Sequence, residues 1–499
     1  MTTMRPPLVA VGFAHLASPI RPASARLPSR WVRPATRNRS CSQTNGPHAE
    51  FEPGSFRVVV ACPDARPPAH QAALGLDKRG RLDCFLTAFH HAPSGSGRWL
   101  RRLEAIQPRR AQAWAAKLRR RAFEGLPEER IVAHPWVDLC LALENRFERG
   151  AVRAWVARRR IEGFDRRVAA TLEDRRPEVA LLFSDVGSVH GWRTCRARGI
   201  VGVLSMVHGE VEEERAVLAR EAQRDPDWLP IYLGDAPLDG GELDELHARR
   251  RLDLAGCDWV LVPSEHIAQR LRAGGFPAER LRVIPYAADT TRFRPDFSAA
   301  AARRERDRDR PLEQTEVRFL FAGGLQQRKG LKDLLVAWRW IKTRRPGWRL
   351  TLVGEPPRKI GPWTEALRDE TIDVVGRVGH DAMPNQMARA DVFVFPSLFE
   401  GSAVVTYEAM ACGLPVIVTP QAGSIARHGH EGWEVPARRP EILAEAMLKL
   451  GDDPELRACW GRAARQRAEM FDWNRHQQSL AEALEQARVA GPRHASPQG

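Results

Sequence analysis

Short apolar runs alternate with helical segments from residue 56 onward, and this alternation restricts the fold to one class. In the first half of the chain the runs predict five buried strands: Phe56–Cys62, Val179–Ser184, Ile200–Met206, Asp258–Pro263 and Leu281–Pro285. Ser264 and Glu265, directly after the fourth run, predict the beginning of a helix that extends to Leu271. Short apolar strands separated by helices are typical of a parallel sheet covered on both faces.

The alternation stops at residues 296–316, a strandless stretch rich in arginine and aspartate, and then resumes. The second half predicts further strands at Val317–Ala322, Arg349–Gly354, Ile372–Val375, Asp391–Pro396 and Leu414–Thr419. Helices are predicted at Leu331–Thr343, Ala382–Ala390, Ser402–Cys412 and Pro440–Leu450, with more helix as far as Arg488. Two such units predict an α/β protein with two doubly wound, Rossmann-like domains that face each other across a cleft. Ligands bind such sheets beyond the carboxyl ends of the strands.

Composition and charge exclude several classes of protein. With 43% hydrophobic and 28% charged residues, the chain is neither wholly disordered nor fibrous, and no run of 18 apolar residues could cross a bilayer. The eight cysteines are scattered without a CxxC pair, which argues against a disulfide framework and favours a reducing cytoplasm. The net charge of +15 favours a polyanionic neighbour, which is nucleic acid, an anionic membrane or a phosphate-bearing substrate.

The first 49 residues carry seven arginines and no acidic residue, together with many serines, prolines and alanines. They show neither a helix nor a strand period, so we predict that they are disordered. The composition is similar to that of an organellar transit peptide, but a loose cytoplasmic arm or an over-extended start is the preferred interpretation.

A second basic segment, residues 98–121, contains nine arginines and lysines, one glutamate and six interleaved tryptophan, leucine and isoleucine residues. Pro108 divides it into two short predicted helices. A basic face beside an apolar one suits an anionic membrane surface. A solvated pair of helices packed on the first domain explains the pattern equally well.

A glycine-rich loop follows the first predicted strand of the second half. Gly323 and Gly324 let the backbone approach a ligand closely, and Arg328 and Lys329 can neutralise phosphate oxygens. The loop lacks the P-loop pattern, and taken alone it is more typical of a solvated basic turn.

The loop at residues 375–379 is less informative. Val375 and Gly376 follow a predicted strand and can present backbone groups to a nucleotide base. A plain turn explains the same residues equally well, and nothing more follows from them.

Residues 396–415 are the most informative segment, because one acid precedes a predicted helix and another lies inside it. Glu400 and Glu408 are separated by about 80° beyond two helical turns, so both can face one cleft. Free amides at the beginning of the helix make an anion site, here those of Gly401, Ser402 and Ala403. Glu400 also fits a carboxylate that interacts favourably with the positive end of the helix dipole. Glu408 lies in an apolar helix, where a buried charge needs a partner.

The run from Glu400 to Glu408, followed by Ala-Met-Ala-Cys-Gly-Leu-Pro-Val-Ile-Val-Thr, resembles the signature of glycosyltransferase family 4. Members of this family are retaining enzymes of the GT-B fold that use nucleotide-sugar donors without a metal. The resemblance covers most of residues 317–480, including Ala390–Ser397 and Gly432–Pro436. It extends backwards, more loosely, through Asp258–Ser264 and Val283–Asp289.

The resemblance implies a role for each of five side chains. Arg328 and Lys329 hold the donor diphosphate, and Glu408 binds the hydroxyls of the nucleotide ribose. Glu400 contacts the donor sugar near the reacting carbon, and His208 matches a cleft histidine beside that sugar. Without the family, His208 is better explained as a structural loop histidine. Further candidate donor-binding positions follow from the two loops and the helix start described above, and they are Gly323, Gly324, Val375, Gly376, Gly401, Ser402 and Ala403.

The predicted organisation follows from the alternation, the charge pattern and the resemblance. Residues 1–52 are predicted to be a disordered basic arm and residues 53–295 a Rossmann-like domain on the acceptor side. A charged linker at 296–316 leads to a second Rossmann-like domain at 317–470, which binds the nucleotide sugar. The chain then forms a helix at 471–489, which packs back toward the first domain, and a tail at 490–499.

The implied function is that of a hexosyl-type glycosyltransferase that moves a sugar, with retention of configuration, to a hydroxyl of a glycan or lipid-linked acceptor. Neither a metal nor a cofactor is expected, because the pairs Asp225/Asp227 and Asp307/Asp309 lie in charged, strandless segments. A cytoplasmic protein is expected, with an anionic membrane surface at the inner face as a candidate partner. A noncatalytic scaffold on the same fold, bound to a membrane or a polyanion, is the alternative. No specific nucleic acid is expected, since no recognition motif is found.

Overall fold

The structure is a computed structural model and describes residues 56–493, apart from 65–66, 89–122, 124, 135, 145–150, 187–188, 234–239, 297, 299–314, 358–363 and 366–367. The predicted basic arm, the basic segment 98–121 and most of the predicted linker therefore lie outside the described residues. Within them, no helix is both long and apolar enough to cross a membrane.

Seven parallel strands form the sheet of the first lobe, in the order β3-β2-β1-β4-β5-β6-β7. The strands are β1 Val58–Ala61, β2 Leu82–Thr87, β3 Ile131–Ala133, β4 Val179–Phe183, β5 Val201–Ser205, β6 Trp259–Val262 and β7 Leu281–Val283. The helices are α1 Pro67–Asp77, α2 Trp136–Glu144, α3 Ala151–Arg175, α4 His190–Arg198, α5 Val211–Arg224, α6 Gly240–Gly256 and α7 Glu265–Ala273.

Six parallel strands form the sheet of the second lobe, in the order β10-β9-β8-β11-β12-β13. The strands are β8 Arg318–Ala322, β9 Arg349–Val353, β10 Ile372–Gly376, β11 Val392–Phe395, β12 Val416–Val418 and β13 Gly432–Glu434. The helices are α8 Leu331–Arg344, α9 Met383–Ala388, α10 Val404–Ala411, α11 Pro440–Asp452, α12 Pro454–Glu469 and α13 Trp473–Ala490.

Both sheets have the doubly wound order, which confirms the predicted fold class. The strand order reverses between β1 and β4 in the first sheet and between β8 and β11 in the second. Ligands bind such sheets at the carboxyl ends of the strands on either side of the reversal. The loops after β1, β4, β8 and β11 are therefore the places where a site should lie.

The ten strands predicted from apolar runs are present, with ends that differ by at most two residues, and three strands of the described part of the chain were missed. One of these, β2, contains Asp83, whose side chain is buried beside Arg57 and Arg175 at 3.1 and 3.5 Å. The ion pairs make this carboxylate compatible with the sheet, but a charge inside an apolar run conceals the strand in the sequence. The other two, β3 and β13, are only three residues long.

The last helix, α13, packs on the first lobe although the chain has already formed the second. Leu480 and Leu484 belong to the same buried core as β1 and β4. Gln477 donates to the Gln71 side chain at 2.6 Å and fills the space above Gly75 in α1. The core of the first lobe is therefore completed by the end of the chain.

Candidate active site

The two lobes meet through the loops that follow their strands. Gly401 lies so close to the Val207 carbonyl that a Cβ atom at this position would overlap it. The Ser264 hydroxyl donates to the Gly401 carbonyl at 2.9 Å and also accepts from the Ile267 amide, as the predicted N-cap of α7. A loop of the second lobe is thus held directly against two loops of the first.

The backbone of the basic loop after β8 places Arg328 and Lys329 beside the loop that follows β11. Gly330 has φ +75° and lies directly against the Pro396 carbonyl, so α8 can begin only after a residue without a side chain. The Arg328 carbonyl accepts from the Leu398 amide at 2.8 Å, and its guanidinium donates to the Phe399 carbonyl at 3.2 Å. These bonds hold Arg328 beside the loop that carries Glu400.

Glu400 lies between the two basic side chains that the sequence analysis singled out. Its Oε1 atom is 3.3 Å from Arg328 Nη2 and 3.4 Å from Lys329 Nζ. Burial raises the pKa of Glu400, but the charges of Lys329 and Arg328 outweigh burial and hold the pKa below its ordinary value. Glu400 is therefore a nearly buried carboxylate that stays ionised at neutral pH.

Glu408 is buried inside α10 and has the partner that its position requires. His380 Nε2 donates to Glu408 Oε1 at 2.8 Å, while the imidazole itself is more than half exposed. His380 was not predicted from the sequence, and it lies 28 positions earlier in the loop after β10. The helix ends at Ala411, and Gly413 continues the chain toward the next strand with φ +76°.

The prediction that the Ala403 amide is free to bind an anion is wrong. This amide donates to the Ala422 carbonyl at 2.9 Å, and α10 begins at Val404 rather than at Ser402. The Ser402 hydroxyl donates to the Gly423 carbonyl at 2.7 Å and lies 3.0 Å from the Tyr407 hydroxyl. The beginning of the helix is therefore tied to the next loop of the same lobe.

His208, in the loop after β5, is a nearly buried, neutral imidazole. Its Nδ1 donates to the Gly209 carbonyl at 2.7 Å, which leaves Nε2 as an acceptor. Burial and then the charge of Arg250 lower the pKa of His208 to about 4. Among the described residues Nε2 has no hydrogen-bond partner, so it can accept a hydrogen bond from a ligand hydroxyl.

Asp185, after β4, is a second polar residue that the sequence analysis missed at this end of the first sheet. Its Oδ1 atom lies 3.9 Å from His208 Nε2. Arg250 binds both of its carboxylate oxygens, at 3.0 and 3.3 Å, and the Asp185 backbone has a left-handed φ of +72°. In the sequence, a single aspartate after an apolar run does not indicate a functional residue. In the structure, a non-glycine residue with a left-handed backbone often marks a functional position.

Not every predicted donor-binding residue lies beside this cluster. Gly323 does, since a Cβ atom there would lie 3.2 Å from Lys329 Nζ, and Gly324 adjoins the Gln326 side chain. Val375 and Gly376 end β10, which is separated from β8 by β9. The roles given to these residues remain predictions.

Two family models match the chain in its two lobes. Residues 141–292 match Glycosyltransferase Family 4, and residues 316–453 match Glycosyl transferases group 1. Together the two matches cover more than half of the 499 residues.

Curated relatives match part of the chain at moderate identity. A D-inositol 3-phosphate glycosyltransferase from Pseudarthrobacter chlorophenolicus is 32% identical over 46% of this chain and 55% of its own length. A GDP-mannose-dependent alpha-(1-6)-phosphatidylinositol monomannoside mannosyltransferase from Mycobacterium tuberculosis is 31% identical over 42% of this chain and 57% of its own length. The chain thus spans little more than half the length of these relatives.

Solved structures are similar over most of the chain. Sucrose-phosphate synthase from Thermosynechococcus elongatus has a TM-score of 0.58 at 18% identity, covering 87% of this chain and 100% of that one. An Anabaena protein in complex with UDP and glucose has a TM-score of 0.55 at 15% identity, covering 86% and 99%. These likenesses show the GT-B architecture, and the two family matches show that residues 141–292 resemble Glycosyltransferase Family 4 and residues 316–453 Glycosyl transferases group 1.

Proposed function

We propose that this protein transfers a hexosyl group from a nucleotide-sugar donor to a hydroxyl of a glycan or lipid-linked acceptor, with retention of anomeric configuration. The observation that carries the proposal is the partly buried cluster in which Glu400 contacts Arg328 and Lys329 at the junction of the two lobes. The relatives support the donor class, since one is named as GDP-mannose-dependent and the Anabaena protein was solved with UDP-glucose.

In this proposal the second lobe binds the donor. Arg328 and Lys329 take the diphosphate, which replaces part of their contact with Glu400. Glu408 accepts hydrogen bonds from the ribose, with His380 fixing its carboxylate. The remaining donor contacts are assigned to Gly323, Gly324, Val375, Gly376, Gly401 and Ser402.

The chemical step breaks the bond between the anomeric carbon and the phosphate oxygen, and both electrons leave with the phosphate. Arg328 and Lys329 stabilise the charge that develops on the leaving diphosphate. Glu400 stabilises the cationic sugar because its carboxylate stays ionised, and His208 Nε2 accepts from a sugar hydroxyl. The acceptor oxygen attacks from the face that the phosphate leaves, and the departing phosphate takes the acceptor proton. The proposed step uses neither a metal nor a cofactor.

A panel of nucleotide sugars tests this function. The full-length protein is incubated with UDP-, GDP- and ADP-sugars, and both thermal stabilisation and release of the nucleoside diphosphate are measured. We expect saturable stabilisation and turnover with one base and one sugar. A noncatalytic scaffold would give neither with any donor, and a nucleic-acid binder would instead show tight, salt-sensitive binding to DNA.

The acceptor and the location in the cell belong to the same proposal. We assign the acceptor to the first lobe, on the side of Asp185 and His208. We place the protein in the cytoplasm, at a peripheral position on the inner face of the membrane. Lipid-linked acceptors would be reached from that position.

A further inference from the structure

A series of charged side chains extends from the interior of the first lobe to the cleft, and only its last member has so far been placed beside the substrates. His247 Nε2 on α6 donates to Glu214 Oε2 on α5 at 3.0 Å. The same oxygen accepts from Arg250 Nη1, also at 3.0 Å. Arg250 Nε and Nη2 then donate to the two carboxylate oxygens of Asp185, at 3.0 and 3.3 Å. We call these four residues the ion network.

Local structure explains how the ion network is aligned. His247 and Arg250 lie three positions apart and share one face of α6. Burial raises the pKa of Glu214, but the hydrogen bond from His247 and the charge of Arg250 outweigh burial and hold this pKa below its ordinary value. Glu214 therefore stays ionised beside Arg250. The guanidinium is fixed between two carboxylates, and its planar fork binds Asp185 through two nitrogens.

The backbone of Asp185 is held by the same helix as its side chain. The Asp185 amide donates to Asp253 Oδ2 on α6 at 3.0 Å, and Asp253 Oδ1 accepts from the Trp192 indole at 2.9 Å. These bonds hold Asp185 at a left-handed φ of +72°, which residues other than glycine seldom adopt. Helix α6 therefore orients both the backbone and the carboxylate of Asp185.

Stability alone explains the ion network poorly. Charged groups lose solvation when they leave water, and apolar residues of similar volume often stabilise a protein as well as a buried ion pair does. The exposed fraction of the side chain rises along the ion network, from 1% at His247 to 11% at Arg250 and 24% at Asp185. The ion network thus ends at the cleft, where Asp185 Oδ1 is 3.9 Å from His208 Nε2.

We propose that Arg250 is a positioning residue, which keeps His208 a neutral hydrogen-bond acceptor and holds the Asp185 carboxylate beside it. The inference rests on the proposed function, because it assigns a task to a side chain that lies behind the groups facing the substrates. The geometry supports it, since Arg250 is the member of the ion network that binds Asp185 on one side and the buried Glu214 on the other.

Charge balance around His208 explains why Arg250 matters. Among the described residues, the groups that face this imidazole are the carboxylates of Asp185 after β4 and Glu214 on α5, the guanidinium of Arg250 on α6, and the Gly209 carbonyl. Burial lowers the pKa of His208, and the charge of Arg250 lowers it further, against the effect of the two carboxylates. Without that positive charge two negative groups remain, and they favour a protonated His208.

Two substitutions separate the charge of Arg250 from its geometry. Arg250→Gln removes the charge, so His208 should become protonated at a higher pH than in the unmodified protein, within about pH 5 to 8. Arg250→Lys keeps the charge but loses the planar fork, so His208 should stay neutral in that range while Asp185 loses one of its two bonds.

NMR of the full-length protein with ¹⁵N-labelled histidine measures this titration without any donor. The spectrum of His208→Gln identifies the resonances of His208. Arg251→Gln is the matched control, because Arg251 is the next residue of α6 but pairs with the exposed Glu212. His208 should titrate in Arg251→Gln as it does in the unmodified protein.

Activity gives a second readout. In Arg250→Gln the acid limb of the pH–rate profile should move to higher pH, because a protonated His208 cannot accept a hydrogen bond from a sugar hydroxyl. In Arg250→Lys the acid limb should stay in place while turnover falls by roughly 10- to 100-fold, because Asp185 is misplaced. Loss of folded protein alone would lower the rate at every pH and leave the acid limb where it is.

The inference is overturned if His208 stays neutral down to about pH 5 in a folded Arg250→Gln variant. It is also overturned if His208 titrates alike in Arg250→Lys and Arg250→Gln. Should Arg250→Gln fail to fold, Arg250→Lys decides: normal turnover in a stable protein contradicts the inference, and reduced turnover with a neutral His208 supports it. Absence of turnover in the unmodified protein would contradict the proposed function alone, because the NMR titration still decides the role of Arg250.

Discussion

At the scale of single residues, Glu400 and Glu408 belong to one motif but have different surroundings. The proposed contact of Glu408 with the ribose would be largely the same in the ground state and the transition state, so Glu408→Gln should weaken donor affinity by about 1–3 kcal/mol. In the proposed step Glu400 would act on charge that develops during the reaction, so Glu400→Gln should lower turnover by roughly 100-fold or more, with less effect on donor affinity. Donor titration and initial rates on both variants measure this difference.

Melting temperatures provide the control for this pair. Glu441→Gln, an exposed acid of the same lobe that pairs with Arg439, should leave affinity, turnover and stability unchanged. If Glu400 and Glu408 only brace the helix, both glutamine variants will melt early. Near-normal turnover of Glu400→Gln in a stable protein would disprove its catalytic role.

His208 should make stability depend on pH. Its pKa is about 4 in the folded protein and near 6.5 in an unfolded chain, so the unfolded state binds more protons between these values. Stability should therefore fall as pH drops from 6.5 to 4, by about 3 kcal/mol from this one residue. Denaturant titrations across this range measure the loss, and His208→Gln should reduce its slope. An equal slope in the variant would show that His208 is not buried and neutral.

The residues of the site were only partly predictable from the sequence. Glu400 and Glu408 were singled out because their spacing would fit one face of a helix, although α10 begins only at Val404. The need for a partner at Glu408 followed from its apolar surroundings. The identity of that partner depended on how the loop after β10 folds toward α10, which local spacing does not encode. Asp185 was missed for the same reason, since its neighbours Arg250 and His208 come from other elements.

At the scale of elements, the connection between β8 and α8 depends on one glycine. Gly330 combines φ +75° with contact against the Pro396 carbonyl, so Gly330→Ala should destabilise the protein by about 3 kcal/mol and weaken donor binding. Gly379→Ala is the matched control, because Gly379 has φ −68° and nothing lies within 4 Å of its added Cβ atom. Equal melting temperatures for the two variants would contradict this reading of the loop.

Strands were predictable where the fold buries both faces and a run of apolar residues results. This held for β4, β5 and β6, whose residues are buried almost throughout. It failed for β2, where Asp83 is tolerated only because arginines from distant positions neutralise it. Pairing between distant residues therefore limited the prediction more than strand propensity did.

At the scale of the whole molecule, one buried acid connects the lobes. Glu221 of α5 accepts from Gln327 at 2.8 Å and from Arg438 at 3.0 Å, both in the second lobe. Glu221→Ala leaves Arg438 without this partner and should lower the free energy of unfolding by about 3–5 kcal/mol. Donor binding should also weaken, because Gln327 adjoins Arg328. Thermal melts with and without donor measure both effects.

The control for Glu221 lies on the same helix. Glu212 pairs with Arg251 at the surface, so Glu212→Ala should lower the free energy of unfolding by less than about 1 kcal/mol. If Glu212→Ala destabilised the protein as much as Glu221→Ala, the location of Glu221 between the lobes would not explain its effect.

The place of α13 has a consequence for synthesis of the protein. Leu480 and Leu484 complete the core around β1 and β4, yet they are synthesised only after the whole second sheet, whose last strand is Gly432–Glu434. At about 5–20 residues per second the first lobe waits tens of seconds with part of its apolar surface uncovered. The second lobe has all its strands before that moment and can fold earlier. We therefore expect the nascent chain to need chaperone protection at its beginning rather than at its end.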